Sequence, residues 1–131
     1  MEIINVLAAA IAAYGFGAVW YMALAKPWIE AAGVKVGSDG RPDTGAGALP
    51  YIIALVAAVC VAGMMRHVFG LSGITSPMKG LVSGLGIGLF LATPWIATNV
   101  GFAGRPIKLI VIDGGYATFG CAIIGLVLTL F

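Results

Sequence analysis

Four long apolar stretches, almost free of charge, constrain what this chain can fold into. A helix needs about 20 mostly apolar residues to cross a bilayer, at a rise of about 1.5 Å per residue. Four stretches approach or exceed that length, at residues 3–24, 49–65, 80–99 and 107–131. They lack the apolar–polar alternation of barrel strands. We therefore predict an all-α integral membrane protein, a single domain over residues 1–131 with four transmembrane helices in an up-down bundle.

The composition excludes a water-soluble fold and points to the lipid bilayer as the main partner. Hydrophobic residues make up 61% of the chain and charged residues only 9%, whereas an average soluble domain carries about a quarter charged residues. The basic residues are scattered singly through the connecting segments. They form no basic patch, so we expect no nucleic-acid partner.

The first connection has two parts. Pro27 and Trp28 suit the start of a helix and the headgroup level of a membrane, so a short interfacial helix is expected after the first span. Residues 34–48 are rich in Gly, Pro and Asp without apolar periodicity, which predicts a flexible exposed loop. Pro106, after the last turn, can open the fourth helix.

The distribution of Lys and Arg predicts the topology. The first and third connections carry five basic residues, and the second carries two: Lys26, Lys35, Arg41, Arg105 and Lys108 against Arg66 and Lys79. The positive-inside rule then places the first and third connections in the cytoplasm and both termini outside. The first apolar run follows Glu2 without a basic leader segment, so we expect a retained span and not a cleaved signal peptide.

Small residues recur every fourth position in the third span, a spacing that lets helix backbones approach closely in lipid. This ladder consists of Ser76, Gly80, Gly84, Gly88 and Ala92. At 100° per residue, Trp95 and Asn99 continue its face beyond a kink at Pro94, so Asn99 is predicted to face another helix. In the fourth span, Gly120 is the predicted packing glycine on the face of Asp113 and Tyr116.

Asp113 is the one acidic residue inside the fourth apolar run, and it is the centre of the predicted polar site. An ionised carboxylate at that depth costs at least a few kcal/mol unless it is paired or hydrated. Its candidate neighbours are Arg105 from the preceding turn, Tyr116 from its own helix, and Asn99, Trp95 and Tyr21 from other helices. Two interpretations stay open. Asp113 is either a proton or cation site, or a structural lock through Arg105.

Other chemistry finds little support. Pro94 frees a carbonyl that could face a cation or water, although a kink satisfied by a neighbouring hydroxyl is the favoured interpretation. His67 beside Met64 and Met65 suggests an interfacial side chain and not a metal site. Because no complete catalytic set or phosphate loop is present, we expect neither an enzyme nor a cofactor.

Two stretches carry a resemblance to a known family. Residues 2–28 contain Trp20, Tyr21, Lys26 and Trp28, and residues 99–116 contain an Ile-Asp-x-Gly-Tyr string. The later positions concerned are Arg105, Leu109, Ile112, Asp113, Gly115 and Tyr116. In these positions the chain resembles small bacterial membrane proteins of domain of unknown function family 1761. Met22 and Ala23 stand where that pattern has Ser-Pro. The resemblance implies four spans in a bacterial inner membrane and supplies no activity.

Two functions are compatible with these features. The first is an oligomeric carrier or channel for an ion, a proton or a small solute, with Asp113 and Asn99 in a polar path. The second is a structural or accessory subunit, in which the glycine ladder packs against a second copy or a larger membrane complex.

Overall fold

The computed structural model describes residues 2–43 and 45–131, and the regular elements of this part of the chain are all helices. Four long helical stretches are apolar enough to cross a membrane, and a short helix follows the first. The chain begins with α1 (Glu2–Ala23), the short α2 (Ala25–Ala32) and α3 (Leu49–Ser72). The third span consists of α4 (Pro77–Ile87), a π-helical turn (Gly88–Ala92) and α5 (Thr93–Phe102). The fourth span is α6 (Lys108–Leu128). The predicted all-α chain with four possible membrane spans is confirmed.

Helix α3 is longer than the apolar pattern predicts. It continues past Met65, the predicted end, to Ser72, and Gly73 closes it in the left-handed conformation at φ 65°. The predicted end assumed that Arg66 would leave the membrane. In the structure the Arg66 guanidinium donates to the Leu128 carbonyl over 3.4 Å and lies 3.6 Å from the Glu2 carboxylate. The Arg66 charge therefore lies beside the ends of two neighbouring helices, and α3 continues past it.

Helix α6 holds the other helices together. It contacts α1, α2, α3 and both halves of the third span. In the most apolar part of α6, 44% of the residues are buried, compared with 17% in the most apolar part of the third span. Helices α1 and α6 run antiparallel, because Asn5 donates to the Phe131 carbonyl at one end while Trp20 donates to the Ile112 carbonyl at the other, each over 3.0 Å.

The glycine ladder of α4 packs against α6 of the same chain. A methyl group added at Gly80, Gly84 or Gly88 would collide with the α6 backbone, at Gly125, Cys121 and Thr118 respectively. The absence of a side chain at these three positions thus permits the close approach of the two helices. The ladder is nevertheless occupied within the chain, so it does not present a free surface to a second copy or to a larger complex.

Gly120 does not share this role. It is buried, but an added methyl group would meet only the Tyr116 ring of its own helix, at 3.9 Å. The predicted packing glycine of α6 is wrong in detail. The residue that meets the ladder is Gly125, whose added methyl group would collide with the Gly80 carbonyl. The sequence pattern points to Gly120 because it shares a helix face with Asp113. In the structure, α4 crosses α6 nearer to the end of α6.

The π-helical turn changes which face of the third span meets α6. Its wide hydrogen bond, from the Thr93 N–H to the Gly88 carbonyl, accommodates one extra residue in the turn. The buried face therefore runs through Gly80, Gly84 and Gly88 and continues at Thr93 and Val100 instead of Ala92 and Asn99. One extra residue rotates the part of the helix that follows it by about 100° about the helix axis.

The first connection contains a small closed turn. Residues 35–43 are held by an isolated bridge between Val36 and Pro42, with Gly37 N–H donating to the Arg41 carbonyl over 2.8 Å. Most side chains in this segment are exposed, as predicted for the loop. Ahead of it, α2 packs against α6, and its Ala31 is buried with Val100 and Leu109.

Replacing Gly84 by Leu tests the contact between α4 and α6. We expect Gly84→Leu to lower the free energy of unfolding by about 3 kcal/mol or more, because the side chain would collide with backbone atoms that cannot move aside. Gly86→Leu is the matched control, since an added methyl group there meets nothing within 4 Å. Unfolding of both variants in mixed micelles provides the measurement. Equal stabilities would contradict the contact.

Candidate functional site

The ends of α1 and α6 that carry Trp20, Tyr21 and Asp113 meet in a small polar contact. The Tyr21 hydroxyl donates to Oδ1 of Asp113 over 2.6 Å, and Trp20 Nε1 donates to the Ile112 carbonyl over 3.0 Å. The two donors are adjacent on α1 and the two acceptors are adjacent on α6. This pair of bonds therefore fixes both the register and the rotation of one helix against the other.

Glycines on both helices make room for the aromatic rings at this contact. A methyl group at Gly17 of α1 would lie 2.7 Å from the Tyr116 ring, and one at Gly115 of α6 would lie 2.7 Å from the Trp20 ring. Each helix thus provides a ring that fills the space above a glycine of the other. Any side chain at either glycine would push the helices apart and lengthen the Tyr21–Asp113 bond.

Further rings pack around Tyr21. Its ring meets Tyr116 edge-on at a centroid distance of 5.3 Å and meets Trp28 of α2 edge-on at 6.0 Å. Phe16 stacks on Tyr116 at 6.3 Å, with planes only 9° apart. Edge-on and stacked pairs at such distances stabilise a cluster by about 0.5–1.5 kcal/mol each beyond simple burial. The Tyr21 hydroxyl is consequently held in one position at the carboxylate.

Asp113 has a neutral partner and no cationic one. Among residues 2–43 and 45–131 it makes no ion pair, and the Tyr21 hydroxyl is its hydrogen-bond donor. The residue is partly exposed. The described contacts therefore give this carboxyl group a hydrogen-bond donor but no ion-pair partner.

Three predicted members of the site lie elsewhere. Arg105 donates to the Ala32 carbonyl over 3.4 Å, near the end of α2, and not to Asp113. Trp95 is 68% exposed and Asn99 is exposed, so the prediction that Asn99 faces another helix is wrong. The π-helical turn explains this difference, because it rotates both residues away from the face of the ladder. Of the predicted neighbours, Tyr21 bonds to Asp113, and Tyr116 packs against the Tyr21 ring.

Thr93 is the polar residue at the break in the third span. Its hydroxyl lies 2.8 Å from the Gly88 carbonyl, 3.1 Å from the Gly114 carbonyl and 3.1 Å from the Thr118 hydroxyl. None of these bonds reaches the Phe90 carbonyl that Pro94 frees, so the interpretation of a kink satisfied by a neighbouring hydroxyl stays a prediction. Thr93 also connects the third span to α6. Its position directly before Pro94 in the sequence does not indicate this role.

The described residues contain no grouping of three or more His, Cys, Asp or Glu side chains that could hold a metal ion. His67 is exposed near the far end of α3, with Met64 exposed and Met65 buried. Cys121 is buried against α4, whereas Cys60 is exposed on α3. The chemistry available at the contact of α1 and α6 is therefore that of one carboxylate, one phenol and their aromatic surroundings.

Replacing Tyr21 by Phe tests the hydrogen bond to Asp113. We expect Tyr21→Phe to lower the free energy of unfolding by about 1–2 kcal/mol, since an interhelical bond to a charged acceptor is lost while the ring remains. Tyr14→Phe is the matched control on α1 and should change stability by no more than about 0.5 kcal/mol. In an Asp113→Ala background the Tyr21 effect should disappear; persistence there would show that the hydroxyl acts through another group.

The residues that carry the family resemblance converge at this contact. Trp20, Tyr21 and Trp28 come from the first stretch, and Ile112, Asp113, Gly115 and Tyr116 come from the second. The comparison with protein families finds a match to a family of proteins of unknown function, DUF1761, over residues 4–129. Neither the curated proteins nor the solved structures contain a match to the chain. Because the match covers nearly the whole chain, the protein belongs to the DUF1761 family, and its four long apolar helices are consistent with a membrane protein.

Proposed function

We propose that the protein is a membrane carrier or channel for a proton or a small cation, with Asp113 as the group that takes up and releases it. The observation that carries this proposal is the 2.6 Å bond from Tyr21 to a carboxylate that has no cationic partner among the described residues. An acidic residue in a membrane helix is expensive to maintain, which favours a functional use. The proposed role is transport and not catalysis.

The neutral partner suits a group that changes its protonation state. An ionised Asp113 accepts the Tyr21 hydrogen, and a protonated Asp113 still offers one acceptor oxygen while gaining a donor. The contact of α1 and α6 can therefore persist while the charge changes. An Arg partner would hold the carboxylate ionised, because a nearby positive charge favours the ionised form.

The polar path is proposed to involve more than one chain. Between Asp113 and the opposite end of α1, the interface is filled with buried apolar side chains, among them Ala9, Ala13, Cys121 and Ile124. Packed cores of this kind leave no room for water. We therefore propose that an up-down bundle of four spans, with α2 at the membrane interface, works as a homo-oligomer or with a partner membrane protein.

A second candidate function is that of an accessory subunit in a larger membrane complex. One observation favours it. The face of the third span that points away from α6 is exposed and includes Trp95, Asn99 and Phe102, the last of which is 93% exposed. An amide on this face can hydrogen-bond to a partner helix. Such an assembly would use this outer face, because the glycine ladder is occupied by α6.

Ion flux in proteoliposomes tests the transport proposal. With an imposed proton, Na⁺ or K⁺ gradient, the wild-type protein should give uptake that Asp113→Asn reduces to the level of protein-free liposomes, because the variant cannot ionise. Glu30→Gln, which neutralises an exposed acid of α2, is the matched control and should keep wild-type flux. Unchanged flux in Asp113→Asn would exclude Asp113 from the mechanism. A folded wild-type protein without flux would favour the accessory role.

Cysteine labelling tests the proposed topology. The variants Ser38→Cys and Thr75→Cys place exposed thiols in the first and second connections, in a background with Cys60 and Cys121 replaced. In intact bacterial cells a membrane-impermeant maleimide should label position 75 and spare position 38, since the first connection is proposed to be cytoplasmic. The opposite pattern would invert the orientation.

A further inference from the structure

A groove of about 540 Å³ lies between α1 and α3, at the opposite end of α1 from Asp113. Apolar side chains provide most of its lining, namely Ile3, Val6, Leu7, Val59 and Leu71. Gly63 and Gly70 of α3 keep it open. An added methyl group at Gly70 would meet nothing within 4 Å, and one at Gly63 would touch only Val6, at 4.0 Å.

The groove lies on the surface that a membrane-spanning chain presents to lipid. Several of its lining residues are largely exposed in the chain, including Ile3 at 75% and Leu71 at 77%. In a bilayer such a surface is in contact with acyl chains, because no water is available in the hydrocarbon region. The groove therefore has the shape and the polarity to hold an acyl chain.

A pair of opposite charges is part of the lining of this groove, with Gly63 before it and Leu71 after it on α3. Nη2 of Arg66 lies 3.6 Å from the Glu2 carboxylate, and both residues line the groove. The Glu2 side chain is 78% exposed and the Arg66 side chain 30% exposed. The guanidinium has five N–H donors, of which one is directed at the Leu128 carbonyl. Both groups therefore keep capacity for a further polar partner.

We propose that this groove binds a phosphatidylethanolamine lipid. One acyl chain lies along the apolar lining, the phosphate contacts Arg66, and the primary ammonium contacts Glu2. A phosphoethanolamine headgroup carries a negative and a positive charge next to each other, which complements the adjacent charges of Arg66 and Glu2. This assignment is independent of the proposed transport role, because it lies at the other end of the bundle.

The charge pair discriminates among headgroups. A phosphatidylglycerol headgroup has hydroxyls that can donate to Glu2 but no positive charge to offset that carboxylate. A phosphatidylcholine headgroup has a quaternary ammonium, which cannot donate a hydrogen bond to Glu2. Phosphatidylethanolamine alone among the three supplies both a phosphate for the guanidinium and N–H donors for the carboxylate.

Competition among lipids in nanodiscs tests the proposal. The protein is purified from an equimolar mixture of phosphatidylethanolamine, phosphatidylglycerol and phosphatidylcholine with identical acyl chains, and retained lipid is measured by native mass spectrometry. We expect phosphatidylethanolamine to be retained roughly fivefold over each of the others, the effect of one favourable charge contact at a membrane surface. Equal retention of the three lipids, or a preference for phosphatidylglycerol, would overturn the proposal.

Variants assign the preference to the groove. Glu2→Gln should abolish the preference over phosphatidylglycerol while retaining lipid, and Gly63→Leu should fill the groove and remove bound lipid altogether. Glu30→Gln and Gly15→Leu are the matched controls, since Glu30 is an exposed acid outside the groove and an added methyl group at Gly15 meets nothing within 4 Å. Retention unchanged by Glu2→Gln and by Gly63→Leu would place the lipid elsewhere, whatever the outcome of the flux experiment.

Discussion

The close approach of α6 to its neighbours is the constraint on which the rest of the structure depends. Lipid is as apolar as the side chains, so burying them between helices gains little free energy. Helices in a bilayer therefore associate through close contact and interhelical hydrogen bonds. Glycines allow both along α6. Gly80, Gly84 and Gly88 bring the third span to its backbone, and Gly17 and Gly115 let the rings of the α1 contact interlock. These contacts place the third span and α1 against α6, while α3 packs mainly against α1.

The π-helical turn gives the third span two successive packing faces. Before it, glycines approach the α6 backbone; after it, Thr93 bonds to the Gly114 carbonyl, and Val100 is buried near the start of α6. Pro94 provides no backbone donor in either geometry, but a regular α-helix would have carried Asn99 into the contact. The wide turn instead places the break beside the Thr93 hydroxyl. It therefore decides which polar residues can reach Asp113.

The bond between Tyr21 and Asp113 combines a structural and a chemical property. It fastens α1 to α6 beside the Trp20–Ile112 bond, and at the same time it leaves the carboxylate without a positive partner among the described residues. The two interpretations of Asp113, lock and exchange site, are thus compatible in one geometry. The lock acts through a phenol and not through Arg105, whose guanidinium is directed at α2. A phenol can hydrogen-bond to either form of a carboxyl group, so the proposed transport role does not require α1 and α6 to separate.

The sequence by itself determined that the chain is helical and that four segments can cross a membrane, and it singled out Asp113, Tyr21 and the glycines Gly80, Gly84 and Gly88 of the third span. These conclusions rest on local properties, namely apolar length, four-residue spacing and the cost of a charge in lipid. Only the tertiary structure decided that the ladder meets α6, that Gly125 and not Gly120 opposes it, and that Asn99 and Trp95 turn away. The physical reason is that an extra residue in one helical turn rotates everything beyond it, and such a turn depends on a hydroxyl, a Pro and a neighbouring backbone that come together only when the helices pack.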